Sequence, residues 1–232
     1  GIAAATGNNG TGVIGVAPSA KILPVRALGK CGGTMSDVAA AVTWASGGEV
    51  PGVPTNPTPA DVINLSLSSA TSCQPFVQAA IDGAMSRGTT VVASAGNNAA
   101  PFVNYSPGGC YDILTVGALT RTGSRATYSN YGVVDRDLPL FAPGGAATDA
   151  TAGILSTINL GQTTATTGGY AAYYGTSMAA PQVAGAAAVL QERAPMAPSA
   201  VAEHLRDTAR TFPAGSNCTD RRPKPGRIAF AA

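Results

Sequence analysis

The residue most suggestive of chemistry is a serine that directly precedes a run of small apolar residues. Ser177 follows Gly175 and Thr176, and mainly alanine, valine and glycine continue to Leu190. This composition predicts a buried helix whose first turn is held rigidly against its neighbours. Free N–H groups and the positive end of the helix dipole favour negative charge at such a turn. A hydroxyl fixed there, with donors around it, has what an activated nucleophile needs.

Two other polar sites follow apolar strands. Ser66 and Ser68 close one predicted strand, and Gly96 and Asn97 end another. In an open α/β sheet, ligands bind outside the carboxyl ends of the strands. Taken singly, a Gly-Asn pair is a common turn and Gly-Thr-Ser a common helix start. The three sites together, in this order, indicate a functional site.

The elements that must position these residues alternate between strand and helix. Near-continuous apolar strands separated by helices imply an α/β fold in three layers, with a mostly parallel sheet between helices. Loops and short antiparallel strands are expected over 147–175, and a last helix is expected after Ser199 as its N-cap. The predicted strands are 21–28, 61–68, 89–96 and 113–119, and the other predicted helices are 35–45 and 74–88.

The overall composition describes a globular chain and excludes several functions. The 232 residues fit one domain, with 45% hydrophobic residues, 11% charged residues and a net charge of +2. No Lys/Arg run is interleaved with aromatics, and no apolar run approaches 18 residues, so neither nucleic-acid binding nor a membrane span is expected. The four cysteines lack zinc-site spacing and favour two disulfides in a secreted protein, with four buried free thiols as the alternative. They are Cys31, Cys73, Cys110 and Cys218.

Five segments of the chain, in order, resemble the subtilisin-like serine proteases, or subtilases. The most specific is GTSMAAPQVAG at 175–185, which resembles the nucleophile segment of the family. The resemblance extends over about residues 1–210 and is closest to secreted bacterial members. It implies that 1–232 is the larger, C-terminal part of a single peptidase domain. NNGTGVIGVAPSAKILPVRAL is similar to the stretch that follows the catalytic histidine of the family, and VINLSLS is similar to its substrate-binding strand. VVASAGNNA is similar to the oxyanion segment, and FAPGG is similar to the A-P-G turn.

The resemblance assigns roles to the polar residues singled out above. Ser177 becomes the nucleophile of a secreted, extracellular serine endopeptidase acting on proteins and peptides and made as a zymogen. The side-chain N–H of Asn97 and the backbone N–H of Ser177 become the oxyanion hole. One strand would pair with extended substrate backbone, and a second segment would form a wall of the pocket for the residue before the cut bond. The residues implied are Ser66, Leu67 and Ser68 for the strand and Ser94, Ala95 and Gly96 for the wall, whose small side chains leave room for a large apolar group.

Two departures from the family pattern affect catalysis. Gln182 replaces a non-catalytic helix histidine, which is a minor change. The Asp-[Ser/Thr]-Gly and His-Gly-Thr-His segments are both absent, and the one histidine, His204, is expected on the surface of the last helix. The Ala-rich turn before Gly7 has no residue that could cap it. These features predict a divided subtilase whose catalytic Asp and His lie on an N-terminal fragment that binds this chain, which alone would be insoluble or unfolded.

The resemblance also implies a structural calcium ion in the Gly/Asn-rich loop near the start of the chain. The implied ligands are the carbonyls of Gly7, Thr11 and Val13 and the side-chain oxygen of Asn9, which suit a hard cation. The carboxylate ligand of the family would lie upstream of Gly1. A Gly/Asn turn without metal is the alternative.

Four cysteines allow three pairings. By position in the resembling fold, Cys31 follows one substrate-side strand and Cys73 follows its neighbour. The resemblance therefore implies the disulfides Cys31–Cys73 and Cys110–Cys218.

Two other functions are weighed against the protease. A non-catalytic, subtilase-like binding module would explain the missing base, but such a protein usually loses the nucleophile and the oxyanion residues as well. An α/β-hydrolase esterase would need G-x-S-x-G and a downstream acid before the histidine. The GTSMA around Ser177 lacks the last glycine, and His204 follows too closely.

Overall fold

A computed structural model describes residues 1–132, 140–147, 150–218 and 227–228. The strands are β1 (Val62–Leu65), β2 (Thr90–Ser94), β3 (Leu114–Leu119), β4 (Leu140–Pro143), β5 (Ile154–Asn159), β6 (Gly168–Tyr173), β7 (Arg210–Thr211) and β8 (Arg227–Ile228). Six of them form one sheet in the order β1-β2-β3-β4-β8-β7, in which β1 to β4 and β8 run parallel and β7 is antiparallel to β8. The antiparallel pair of β5 and β6 confirms the short strands expected in that region.

In the part of the chain that the structure describes, four α-helices accompany the sheet, with single 3-10 turns at Phe102–Asn104 and Ala150–Ala152. None of the helices in the described ranges combines the length and the apolar character that a membrane crossing requires. The α-helices are α1 (Met35–Ala45), α2 (Pro75–Ser86), α3 (Thr176–Arg193) and α4 (Pro198–Thr208).

The helix starts show where local sequence decides structure. Helix α1 has the predicted bounds because Thr34 and Asp37 form a reciprocal capping box, whose hydrogen bonds lower the pKa of the Asp37 carboxyl. The prediction of Ser199 as the N-cap of α4 is wrong. Pro198 takes the first helical position and Ala197 is the N-cap, because a proline has no N–H to leave unpaired there and its φ suits the first turn.

Alternating side chains divide the core between the two faces of the sheet. On β2, Val91 and Ala93 pack with the buried residues of α1 and α2. Val92 points the other way and packs with the buried alanines of α3 and with Ala202 of α4. This is the three-layer arrangement that the sequence predicts.

Helix α3 lies very close to the start of the chain. Ala5 N–H donates to Gly1 O, so the predicted Ala-rich turn is present as a single turn. A Cβ at Gly185 of α3 would lie 2.8 Å from Val16 Cβ and 3.2 Å from Ala3 O. A glycine is therefore required where the helix meets these residues.

The prediction of a strand at 21–28 is wrong. Within the described residues this segment has no ladder partner, because β1 pairs only with β2. An extended segment is a strand only when a neighbour satisfies its backbone groups. Its large apolar side chains are exposed instead, namely Ile22, Leu23, Val25 and Leu28.

The disulfide pairing implied by the resemblance is also wrong. Cys73 is bonded to Cys110, with a Cα–Cα distance of 5.0 Å, and Cys31 and Cys218 are free thiols. The cause is a backbone bridge between Ser69 and Ser106, each four residues before one of the bonded cysteines. This bridge aligns the two segments so that their cysteines meet.

Candidate active site

Ser177 lies in the first turn of α3, half-buried, as the sequence predicts. The N-cap residue, Gly175, makes no side-chain capping bond. The backbone N–H of Ser177 is therefore one of the donors that a helix start leaves without an intrahelical acceptor. It is available to a ligand.

The nucleophile candidate and the predicted substrate strand contact each other directly. Ser177 Oγ donates to Ser66 O at 3.2 Å, and Ser66 Oγ donates to Ser177 O at 2.9 Å. Asn64 Nδ2 in turn donates to Ser66 Oγ at 3.0 Å. These reciprocal bonds fix the end of β1 against the start of α3.

The side chain of Asn97 is held in one orientation by Thr176. Asn97 Oδ1 accepts hydrogen bonds from the backbone N–H and the hydroxyl of Thr176, both at 2.9 Å. The amide Nδ2 then faces the space above Gly175, where a Cβ would lie 3.4 Å from that nitrogen and 3.7 Å from the backbone nitrogen of Ser177. Both nitrogens thus lie within 4 Å of one point, which a side chain at residue 175 would fill.

The segment predicted as a pocket wall comprises the last residue of β2 and the two residues that follow it. Ser94, Ala95 and Gly96 are all buried. Ser94 Oγ donates to Leu67 O at 3.2 Å, and Gly96 N–H donates to Thr176 Oγ1 at 3.2 Å. The wall is therefore joined to the substrate strand on one side and to the helix start on the other.

The predicted substrate strand is accessible. Ser66 and Leu67 are half-buried and Ser68 is exposed. The structure thus brings every predicted catalytic and substrate-binding residue to one place, where the ends of β1 and β2 meet the start of α3.

Three residues near the site were missed by the sequence analysis. Thr176 was quoted only as part of a motif, yet it is fully buried and orients Asn97. A ring carbon of Tyr105 lies 3.5 Å from the point where a Cβ on Gly96 would stand, so this ring narrows the space beside the pocket wall. Asn130, also fully buried, bonds to the loop that carries Asn97. No local pattern marks these contacts, because their partners lie up to 80 residues away.

The A-P-G turn is joined to the site by a partly buried tyrosine. Tyr128 donates its hydroxyl to Gly144 O at 2.7 Å and to Gly145 O at 2.9 Å, and burial raises the pKa of that hydroxyl. Its ring lies 5.4 Å from the ring of Tyr174, and Gly175 N–H donates to Gly144 O at 2.8 Å. The residues before Ser177 are held in place by these contacts.

His204 lies exposed on α4, as expected. In the described part of the chain, the Ser177 hydroxyl therefore has a backbone carbonyl, that of Ser66, and no imidazole, as its hydrogen-bond partner.

The predicted calcium ligands lie in an exposed loop. Asn9 Oδ1 accepts from Thr11 N–H at 3.1 Å, while no hydrogen bond within the described chain uses the carbonyls of Gly7, Thr11 or Val13. The oxygens present are of the type that calcium prefers. The described residues hold no cluster of three or more His, Cys, Asp or Glu side chains that could bind a metal, so charged ligands would have to come from outside the loop.

Comparisons with known proteins agree with this geometry. The Subtilase family model matches residues 1–226. An extracellular protease of Xanthomonas campestris pv. campestris is 49% identical over 215 residues, which are 92% of this chain and 35% of that protein. Subtilisin Savinase of Lederbergia lenta is 36% identical over 204 residues, which are 87% of this chain and 65% of that protein.

A solved structure of a protease from Pseudoalteromonas arctica PAMC 21717 superimposes with a TM-score of 0.90 at 45% identity, over 100% of this chain and 67% of that one. This chain spans only about a third of the length of the Xanthomonas relative. The family model covers nearly all of the chain, and the order of the matched segments, the three-layer sheet and the Ser177–Asn97 geometry are consistent with it. The chain belongs to the subtilase family.

Proposed function

We propose that this chain carries the nucleophile and the oxyanion hole of a secreted serine endopeptidase. The observation that carries the proposal is the convergence of Asn97 Nδ2 and the Ser177 N–H on the space above Gly175, beside the Ser177 hydroxyl. Two donors preset at one point match the need of acyl transfer, in which negative charge develops on a carbonyl oxygen. Relatives named as extracellular proteases support secretion.

The reaction would proceed through an acyl-enzyme. Ser177 Oγ attacks the carbonyl carbon of the peptide bond while a histidine takes its proton, and the carbonyl oxygen becomes an oxyanion held by the two N–H donors. The C–N bond then breaks, and the leaving amine takes the proton from the histidine. Water attacks the acyl-enzyme with the same histidine as base, which releases the acid and restores the Ser177 hydroxyl.

The histidine and its aspartate partner would come from a segment outside this chain. His204 is exposed on α4 and does not contact Ser177. Two features of the described residues favour such a partner, namely the outer edge of β1, which has no neighbouring strand, and the exposed apolar side chains of 21–28. An open edge and an uncovered apolar segment invite a covering chain.

Protein substrates would bind as an extended strand along Ser66, Leu67 and Ser68. Strand addition gives main-chain hydrogen bonds without regard to side chain. Selectivity would then arise at the wall formed by Ser94–Gly96, where the Tyr105 ring takes up part of the space beside Gly96.

The experiment combines this chain with a segment that contains Asp-[Ser/Thr]-Gly and His-Gly-Thr-His. We expect casein hydrolysis and labelling of Ser177 by a fluorophosphonate only in the assembled protein, and neither in the matched assembly with Ser177→Ala. Hydrolysis that persists in the Ser177→Ala assembly would contradict the assignment of the nucleophile.

A binding module is the second candidate, because the one histidine of the chain does not contact Ser177. It predicts that the chain alone is soluble, melts cooperatively and binds extended peptides. It also predicts that no added segment produces hydrolysis.

We also propose that calcium binds the loop of Gly7, Asn9, Thr11 and Val13. Addition of a chelator should lower the Tm of the assembled protein, since a bound ion stabilises the folded state by mass action. An unchanged Tm after calcium removal would favour a loop without metal.

A further inference from the structure

We propose that Asn130 is a positioning residue for the oxyanion hole. It would act through the backbone of residues 95–100, here called the oxyanion loop, which carries Asn97. This inference rests on the proposed function, because it assigns a role to Asn130 in the reaction of the same site.

The side chain of Asn130 spans the oxyanion loop. It is fully buried. Its Oδ1 accepts from the N–H groups of Asn98 at 2.9 Å and Ala100 at 3.0 Å, and its Nδ2 donates to Ala95 O at 2.8 Å. The three bonds reach the loop on both sides of Asn97 without contacting Asn97 itself.

Backbone bonds from the same segment complete the contact. Asn130 N–H donates to Gly96 O at 3.0 Å, and Tyr131 N–H donates to Ala100 O at 3.1 Å. In the other direction, Ala99 N–H donates to Tyr128 O at 2.8 Å. The loop thus lies against a second segment that fixes its backbone along most of its length.

The loop needs such support because its conformation is not a relaxed one. Gly96 has a φ of +101°, and Ala99, which has a side chain, has a φ of +51°. Gly96 adopts its φ without strain, but a left-handed conformation in a residue with a side chain, such as Ala99, persists only where surrounding contacts impose it. A Cβ on Gly96 would collide with Asn130 Nδ2, so the two residues are fitted to each other.

Two buried side chains therefore position different parts of Asn97. Thr176 holds the Oδ1 of its amide, and Asn130 holds the backbone before and after it. Donors in an oxyanion hole act only when they lie within a few tenths of an ångström of the required position. Loss of the Asn130 clamp should therefore weaken transition-state stabilisation more than substrate binding.

The chemistry of asparagine suits this position. Both acceptor sites of Oδ1 are used, together with one donor of Nδ2. Alanine at this position would remove the acceptor of the Asn98 and Ala100 N–H groups and leave the buried carbonyl of Ala95 without its donor.

The experiment uses the active protein, in which this chain is combined with its Asp- and His-bearing segment. Asn130→Ala should lower kcat by about 10- to 30-fold, less than the 10²–10³ expected when an oxyanion donor itself is removed. The fall in kcat should exceed any rise in KM, because Asn130 also bonds to Ala95 and Gly96 of the pocket wall but does not contact the substrate strand.

Asn56 provides the matched control. It is also buried, and it makes three side-chain hydrogen bonds in a loop remote from the site, with Ala45 O and with the N–H and hydroxyl of Thr58. Asn56→Ala should lower the Tm as Asn130→Ala does, but leave kcat unchanged. An equal fall of kcat in both variants would reduce the role of Asn130 to general stability and overturn the proposal.

A double-mutant cycle with Asn97→Ala tests the route of the effect. If Asn130 acts through Asn97, Asn130→Ala should cost little further kcat once the Asn97 amide is gone. The full loss in both backgrounds would contradict this route. Faster amide exchange at Asn98 and Ala100 in the Asn130→Ala protein should accompany the loss of kcat.

Asn130→Asp keeps the test decisive if the alanine variant does not fold. It preserves both acceptor sites of Oδ1 but puts a carboxylate oxygen in place of the donor to Ala95 O. The expected loss of kcat is about 3- to 10-fold, and the part that acts through Asn97 should again vanish in the Asn97→Ala background. A folded Asn130→Asp protein with wild-type kcat would overturn the proposal. A wild-type assembly without Ser177-dependent hydrolysis would instead refute the proposed function.

Discussion

The oxyanion loop and the segment 21–28 are held in opposite ways. The backbone of the loop is bonded to Asn130, and Thr176 orients the amide that the loop carries. Within the described chain, no ladder bond reaches 21–28, which exposes Ile22 at 65% and Val25 at 39%. A polar loop can be stabilised by single side chains, whereas an apolar extended segment needs a neighbouring strand or a cover. On the proposed function, the chain would therefore supply one half of a catalytic site in finished form, and a partner would supply the other half.

The largest expected effect on activity tests whether Ser177 is the nucleophile of the proposed reaction. In the assembled protein, Ser177→Ala should lower kcat by about 10⁶-fold, because the nucleophile acts as a unit with its base. Peptide hydrolysis in the steady state measures it. Near wild-type activity would remove Ser177 from the mechanism, and an unchanged Tm would show that the fold is retained.

The next largest effect on activity tests the Asn97 amide as an oxyanion donor. Asn97→Ala should lower kcat by about 10²- to 10³-fold with little change in KM, because the oxyanion exists only in the transition state. If KM rises and kcat does not change, Asn97 binds the substrate rather than the oxyanion.

The disulfide tests how far covalent closure supports the region around the substrate strand. Replacement of both Cys73 and Cys110 by serine opens a loop with a separation of 37 residues and should lower the free energy of unfolding by about 4 kcal/mol. Urea denaturation of the assembled protein measures it, and peptide mapping without reduction should join these two cysteines. Cys31→Ser is the control, since that exposed thiol is unbonded and should change stability by less than about 0.5 kcal/mol.

The smallest effect tests whether the segment 21–28 is covered in the assembled protein. Val25→Ser should lower the free energy of unfolding of the assembly by about 1–3 kcal/mol if a partner buries this side chain. Val53, 49% exposed in the loop between α1 and β1, is the matched control, and its serine variant should change stability by no more than about 0.5 kcal/mol. Equal small effects at both positions would show that 21–28 stays exposed and would weaken the proposal of a partner there.

The sequence predicts those parts of the fold that depend on neighbours along the chain. Helix α1 has the predicted bounds because Thr34 and Asp37 cap it locally. The prediction of Ser199 as the N-cap is two residues too late, since Pro198 has a stronger preference for the first turn and Ala197 is the N-cap. The prediction of a strand at 21–28 fails because a strand also needs an adjacent edge, which the pattern of a single segment cannot reveal.

The residues of the site likewise differ in whether their local sequence marks them. Ser177 and Asn97 are found from the sequence because each follows or begins a recognisable element. Thr176 and Asn130 act across 79 and about 30 residues, and nothing in their local sequence indicates those partners. The pairing of Cys73 with Cys110 likewise depends on the bridge between Ser69 and Ser106.

The reciprocal bonds between Ser66 and Ser177 have a consequence for the order of folding. They join residues that are 111 positions apart, and contacts of such separation form late because a long loop must first be closed. The start of α3 thus meets the end of β1 only when most of the sheet between them is in place. A newly made or partly unfolded chain would hold Ser177 away from the substrate strand, so a copy of the proposed protease that is still folding would be unable to cleave its neighbours.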